Sequence, residues 1–179
     1  YEWNVMPMGL TNSPSTWQRM MTEYTRDLPF VRVFVDDLMI FSKNEEEHED
    51  HLRQLLERFR DKKVCLNIAK ANLFQSSVRF LGHIVAADGC RPQEDKVSAI
   101  KDWPTPKTVG DIRSFLGLVG FYRRYIYAFA QKAEPLNRLL KKGAEFQWAE
   151  EQRQGFEALR ASITQAPVLI LPDQAAATS

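Results

Sequence analysis

Apolar residues recur along this chain at two spacings, and the places where the spacing changes divide it into elements. Tyr1 to Met8 is apolar and aromatic, and Met6-Pro7-Met8-Gly9-Leu10 interrupts it with a proline and a glycine. Trp17, Met20, Met21 and Tyr24 then follow at helical spacing and predict a helix from Pro14 to about Arg26, with Ser13 as N-cap and Pro14 in the first helical position. Val31-Arg32-Val33-Phe34 and Leu38-Met39-Ile40-Phe41 are β-favouring runs on either side of Asp36-Asp37, which predicts a hairpin with the two acids at or near its turn. Glu45, Glu46 and Glu47 crowd a helix start, where the helix dipole favours acids, and Leu52, Leu55, Leu56 and Phe59 continue it as an apolar stripe to about Lys62. Val64 to Ile68 alternates like a strand, Ala71 to Phe74 is a second short run, and Val78 to Val85 is a third. Asp88-Gly89 closes a turn. Strands, helix and hairpins in this order predict an α+β layer, with helices packed on an antiparallel sheet.

Beyond Arg91-Pro92 the texture becomes helical. Gln93 to Asp102 predicts a short helix, and Trp103-Pro104-Thr105-Pro106 a rigid connector. Thr108 caps a helix whose apolar face holds Val109, Ile112, Phe115, Leu116 and Val119. Gly117 and Gly120 lie inside that pattern at a cost of about 1 kcal/mol each, which predicts a close packing contact or a helix end there. Further helices are expected over 131–142 and 149–162, divided by a loop at Gly143 and a Phe146-Gln147-Trp148 anchor. An extended segment follows over 166–173 and a frayed tail over 174–179. The chain therefore divides near residue 91, α+β before and helical after.

Composition narrows the function classes. An apolar fraction of 44% is that of an ordinary globular chain, and a net charge of +1 confines any basic surface to local patches. Cys65 and Cys90 show no metal spacing and read as reduced, intracellular thiols. No apolar run approaches the roughly 18 residues of a membrane span. No signal-peptide pattern opens the chain, which begins at Tyr1 inside structured sequence and reads as a fragment.

Three clusters carry candidate chemistry. Asp36 and Asp37 have no basic neighbour in sequence, so crowding at a turn sets each against the other's charge. A divalent cation removes that conflict, and hard carboxylate oxygens suit Mg²⁺. A solvated Asp-Asp turn is the alternative on composition alone. His48 and His51 stand three apart on one helix but have no further ligand at local spacing, so they read as a solvated face rather than a metal pair. Phe121-Tyr122-Arg123-Arg124-Tyr125 interleaves cations with aromatic rings, a composition suited to gripping a nucleic-acid backbone. A half-exposed helix with snorkelling arginines is the alternative there.

The ordered set of motifs resembles one family. Met6-Pro7-Met8-Gly9-Leu10-Thr11-Asn12-Ser13-Pro14, Phe34-Val35-Asp36-Asp37, Phe80-Leu81-Gly82-His83 and Arg91-Pro92 are similar to the reverse transcriptases of gypsy-type long-terminal-repeat retrotransposons. Arg113-Ser114-Phe115-Leu116-Gly117-Leu118, Phe121-Tyr122-Arg123-Arg124 and Ala166-Pro167-Val168-Leu169 continue the resemblance, which runs from Tyr1 to about Asp173. Each motif alone is weak; their order is specific.

The resemblance implies a right-hand polymerase fold with its palm incomplete. Residues 1–90 would be palm, 91–145 a helical thumb and 146–173 a connection segment. It implies Asp36 and Asp37 as catalytic metal ligands, with Mg²⁺ or Mn²⁺ as the ion. Phe34 stands where the family's Tyr-x-Asp-Asp motif has tyrosine; its ring can still pack but offers no hydroxyl. Phe34, Val35, Gly9 and Gln18 would line the nucleotide and template pocket, Leu81, Gly82 and His83 would be the primer grip, and Arg123 and Arg124 would contact phosphate. The implied reaction is nucleotidyl transfer to a primer 3′-hydroxyl in which two metal ions activate the hydroxyl and stabilise the leaving pyrophosphate.

The implied partners are a primer–template duplex and a deoxynucleoside triphosphate, in a cytoplasmic virus-like particle with passage to the nucleus. The third carboxylate of such a site and the fingers would lie upstream of Tyr1, and a ribonuclease H domain downstream of Asp173. An exposed palm-sheet edge would then be a place for self-association or a protein partner. A second reading makes the chain a non-catalytic remnant that acts by binding nucleic acid or a protein partner.

Overall fold

The structure is a computed structural model and describes residues 2–3, 5–7, 9–165 and 169. Two compact units divide the chain, Tyr1–Gln75 and Ser76–Ser179. The named strands end at Pro92 and helices follow, as the texture of the sequence predicts, whereas the compact units divide earlier, between Gln75 and Ser76. The expected α+β class holds, with antiparallel strands in two separate sheets. Among the described residues, no helix is long and apolar enough to cross a membrane.

The first unit contains α1 (Ser13–Tyr24), β1 (Val31–Phe34), β2 (Asp37–Ile40) and α2 (Glu45–Asp61). Asn12 occupies the N-cap of α1 without a side-chain cap bond, and Ser13 is already helical, its hydroxyl donating to the Pro7 carbonyl at 3.0 Å. At α2 the Asn44 side chain accepts from the Glu47 amide at 2.8 Å, and Glu47 accepts in turn from the Lys43 amide at 2.5 Å. Both exchanges satisfy donors that a helix start leaves unpaired. Strands β1 and β2 pair antiparallel, Val31 with Ile40 through to Phe34 with Asp37. Met21, Leu28, Phe30, Val31, Leu55 and Phe59 form the core between the hairpin and its two helices. Each large side chain buried there contributes about 1.5–3 kcal/mol.

The strand pattern expected over Val64–Ile68 and Ala71–Phe74 does not appear as strand. Ile68–Lys70 is a single 3₁₀ turn and the flanking residues are irregular. Alternation needs a partner strand to become sheet, and here Ile68 is 63% exposed.

The second unit begins with a three-stranded meander, β3 (Ser77–Phe80), β4 (His83–Ala86) and β5 (Gly89–Pro92), in sheet order β3-β4-β5. Helices α3 (Glu94–Lys101), α4 (Val109–Phe121), α5 (Phe129–Arg138) and α6 (Glu150–Thr164) follow. Thr108 caps α4 as its sequence predicts. Its hydroxyl accepts from the Asp111 amide at 3.1 Å, and the Asp111 carboxylate accepts from the Thr108 and Lys107 amides at 2.9 Å each. The Lys107 amide above all, then the hydroxyl and amide of Thr108, hold that carboxyl below its ordinary range.

Helix α4 runs unbroken through Gly117 and ends at Phe121, one residue past Gly120, so the expected helix end is found there and no close packing contact accompanies Gly117. A methyl group at Gly117 would meet open space, and one at Gly120 only the edge of Phe129 at 3.9 Å. Ile100, Ile112, Phe115, Val119, Leu136, Phe156, Leu159 and Ile163 fill the core of this unit. Trp148 meets Phe156 edge-on at 5.8 Å, so the anchor before α6 does reach that core. Helix α6 crosses α5 at Gly155, where an added Cβ would lie 2.7 Å from the Lys132 carbonyl oxygen. Of the segment expected to be extended over 166–173, Leu169 is described and exchanges both backbone hydrogen bonds with Cys90, at 2.8 and 2.9 Å. The rest of that segment and the tail over 174–179 lie outside the described residues.

Candidate active site

Asp36 and Asp37 lie at the tip of the β1–β2 hairpin. The register leaves Val35 and Asp36 as a two-residue loop, and Asp37 opens β2 opposite Phe34. Both aspartates are exposed, and Phe34 is 53% exposed. A two-residue hairpin loop needs a left-handed residue to match the strand twist, and glycine or asparagine ordinarily supplies it. Here Val35 does so at φ 49°. A β-branched residue in that region costs on the order of 1–3 kcal/mol, and surrounding contacts must hold it there.

Helix α1 provides those contacts. The Val35 amide donates to Gln18 Oε1 at 2.5 Å, and Trp17 Nε1 donates to the Val35 carbonyl at 2.9 Å. Gln18 Nε2 also donates to the Val33 carbonyl at 3.2 Å, so one side-chain amide meets the hairpin as a neighbouring strand would. Gln18 Nε2 further reaches Thr22 Oγ1 at 3.2 Å, and Thr22 Oγ1 donates to the Gln18 carbonyl at 2.8 Å, which orients the amide. Both polar backbone groups of the strained residue are therefore satisfied by adjacent side chains of one helix. Gln18 thus stands beside the hairpin, bonded to its main chain. Helical spacing places Trp17 on a core face and gives no sign of its indole nitrogen tie. Gly9, the other expected pocket residue in this unit, has φ 89° and no atom within 4 Å of an added Cβ.

The base of the hairpin is tied to α2. His51 stacks on Phe30 with ring centroids 3.6 Å apart, and its Nδ1 lies 2.8 Å from the Ser42 hydroxyl and 3.2 Å from the Phe41 carbonyl. His48 Nδ1 approaches the same hydroxyl at 3.1 Å. The histidines are therefore structural ties at the strand ends instead of a solvated face. Among the described residues no group of three or more His, Cys, Asp or Glu side chains could hold a metal ion. Asp36 and Asp37 do offer adjacent hard oxygens at an open tip. That fits Mg²⁺, which takes one or two carboxylates with phosphate and water oxygens completing its octahedron, and Mn²⁺ shares the ligand preference.

The second unit holds the remaining candidates. Leu81 and Gly82 form the β3–β4 loop, with φ 48° and 78°, and His83 opens β4 opposite Phe80. Positive φ at both loop positions matches the strand twist, and only Gly82 adopts it without strain. The Tyr122 hydroxyl donates to the Gly82 carbonyl at 2.8 Å, and Tyr125 Oη lies 3.0 Å from His83 Nδ1. Phe121 stacks on His83 at 5.2 Å. Burial first, and the nearby Arg124 charge second, push His83 below its ordinary range, while burial and the contact with Cys90 push the Tyr125 hydroxyl up.

Arg123 and Arg124 stand exposed between the two buried tyrosines, in a 3₁₀ turn over Arg123–Tyr125. Neither makes an ion pair among the described residues. The structure thus keeps the cations of the Phe121–Tyr125 segment open. Its two tyrosines and Phe121 serve the hairpin, a role that the run itself does not disclose.

The family model described as "Reverse transcriptase (RNA-dependent DNA polymerase)" matches residues 1–85. The retrovirus-related Pol polyprotein from transposon 297 of Drosophila melanogaster is 38% identical over 176 residues, which is 97% of this chain and 17% of that protein. The transposon Tf2-3 polyprotein of Schizosaccharomyces pombe is 31% identical over 171 residues, covering 94% of this chain and 13% of that protein. The chain therefore spans less than a fifth of the curated relatives it matches. Among solved structures, a foamy viral protease–reverse transcriptase in complex with double-stranded DNA shares the fold, with a TM-score of 0.87 at 24% identity over 96% of this chain and 31% of that one. Over residues 1–85 the chain is thus similar to the reverse transcriptase family, and over nearly its whole length to a segment of retrotransposon polyproteins.

Proposed function

We propose that this chain carries the metal-binding aspartates and the primer-supporting hairpin of an RNA-directed DNA polymerase that extends a primer by nucleotidyl transfer. The observation that carries this reading is the Asp36-Asp37 pair on a strained hairpin tip held by Trp17 and Gln18. Strain of this kind persists where the surroundings over-determine it, and it concentrates at functional sites. On this reading Asp36 and Asp37 hold Mg²⁺ or Mn²⁺, with Asp36 the principal ligand. The bound ions supply charge stabilisation at the phosphoryl group and lower the pKa of the attacking hydroxyl. Substrate phosphates, water and carboxylates from elsewhere in the polyprotein complete the ligand set.

Gly9, Gln18, Phe34 and Val35 line the nucleotide and template side. Leu81, Gly82 and His83 support the primer strand. Arg123 and Arg124 neutralise backbone phosphate, which makes binding fall with salt. Residues 1–90 are the palm portion, 91–145 the thumb and 146–173 the connection. The substrates are a primer–template duplex and deoxynucleoside triphosphates, handled inside a virus-like particle.

The test places this chain in the transposon 297 polyprotein in exchange for its matching segment and measures primer extension on an RNA template with Mg²⁺. Extension by the hybrid enzyme, abolished by Asp36→Asn and reduced by Asp37→Asn, is the expected result. A folded hybrid that binds duplex but extends no primer overturns the catalytic assignment and leaves a binding module. The same failure with Asp36→Asn binding duplex as the wild type does would point to the remnant reading directly.

A further inference from the structure

We propose that Phe121, Tyr122 and Tyr125 form a latch that fixes the Leu81-Gly82 turn to the Arg123-Arg124 segment, so that hairpin tip and cations meet a nucleic-acid backbone as one rigid element. The proposal rests on the polymerase reading above and names positioning residues for it.

Three contacts converge on the turn from one short segment. The Tyr122 hydroxyl donates to the Gly82 carbonyl at 2.8 Å. Tyr125 Oη lies 3.0 Å from His83 Nδ1 and donates to Cys90 Sγ at 3.2 Å, so one hydroxyl joins β4 to β5. Phe121 lies over Gly82, where an added Cβ would come within 2.9 and 3.0 Å of its ring. The aromatic segment stands some forty residues from the turn in sequence, so local preference does not account for the contacts.

The hydroxyls decide between a latch and ordinary core filling. Phenylalanine at 122 and 125 would fill the same volume, whereas a buried hydroxyl is costly unless bonded. Both hydroxyls are bonded to the hairpin or its neighbouring strand, which selects one position of the turn over all others that bury the same rings. The cations gain from the same fixation. Arg123 and Arg124 are exposed, but their backbone is a 3₁₀ turn flanked by buried Tyr122 and Tyr125, so the two guanidinium stems leave from a fixed base.

The experiment measures fluorescence anisotropy of a labelled RNA–DNA hybrid bound to the full chain across a salt series, for Tyr122→Phe, Tyr125→Phe, Arg123→Ala/Arg124→Ala and their combinations. Circular dichroism confirms the fold of each variant. Amide hydrogen exchange at Leu81, Gly82 and His83 is followed in parallel. Each tyrosine variant should bind about threefold to tenfold more weakly, the weight of one hydrogen bond. Its salt slope should stay as in wild type, because the substitution takes away no phosphate-binding group, and the turn amides should exchange faster.

The arginine variant should lower the slope by about 1 for each phosphate that is no longer neutralised, and the tyrosine effect should shrink in that background. Unchanged affinity in both tyrosine variants, or tyrosine and arginine effects that simply add, would overturn the latch while leaving the polymerase reading intact. A wild-type chain that binds no hybrid at any salt would overturn the nucleic-acid reading and the latch with it. Turn-amide exchange would then report only a structural tie.

Discussion

Gln18 is the residue on which most of the candidate site's geometry converges. Its amide pairs with the Val35 N–H and the Val33 carbonyl at once, so Gln18→Leu leaves two half-buried backbone groups without partners. The expected loss is about 1–3 kcal/mol per orphaned group, read by urea unfolding, together with faster amide exchange at Val35. An unchanged unfolding midpoint would show that water replaces the amide without cost. His83 gives a prediction with a sign. Its folded-state pKa lies below the ordinary 6.5, so the unfolded chain takes up a proton that the folded chain resists. The stability of the second unit should therefore be full above that ordinary value and fall as pH drops below it towards the folded value. Thermal unfolding at a series of pH values tests this, and His83→Asn, which cannot titrate, should flatten the dependence.

At the next level up, the two helical glycines of contrasting environment make opposite predictions. Alanine exceeds glycine in helix propensity by about 1 kcal/mol. Gly117→Ala should gain close to that amount, since its methyl meets open space. Gly155→Ala should instead destabilise by about 1–3 kcal/mol, because its methyl meets the backbone of α5 at Lys132, which cannot step aside as a flexible side chain would. Melting temperatures of the two variants moving in the same direction would refute this account of the α5–α6 crossing.

The helices themselves are legible in the sequence, because an apolar stripe at helical spacing needs only its own residues to be recognised. The Thr108 cap is legible too, because it needs only its own helix start to be recognised, while its exchange with Asp111 emerges from the structure. The run from Val64 to Phe74 misleads because alternation reveals a face but cannot supply a partner strand. The Asp36-Asp37 hairpin is legible from the runs that flank it. Its clamp is not, since Trp17 and Gln18 reach Val35 from eighteen and seventeen residues away without any local pattern. Tyr122 and Tyr125 are hidden similarly: cations beside rings suggest a ligand, and nothing in the run itself points to a turn forty residues earlier.

The whole chain should unfold in two steps. Its units have separate cores, and that of the second unit is the larger, drawing on α3 to α6, while the first relies on two helices and a hairpin. Urea should melt the first unit at lower concentration. Trp17 reports on that unit and Trp103 and Trp148 on the other, so single-tryptophan variants separate the two transitions. Coincident midpoints would mean that the units unfold as one cooperative body.

Val35 is gripped entirely through its main chain, since the Gln18 and Trp17 bonds end on its N–H and carbonyl and none involves its isopropyl group. The identity of the side chain at the hairpin tip is thus uncoupled from the bonds that shape the tip. In a saturation library of the chain selected for protease resistance, position 35 should accept a broad range of residues, whereas positions 17 and 18 should accept few. A tolerance profile reversed between 35 and 18 would refute this. On the expected profile the chain owes the shape of its aspartate-bearing tip to a helix and leaves the residue beside Asp36 free to vary with whatever it meets.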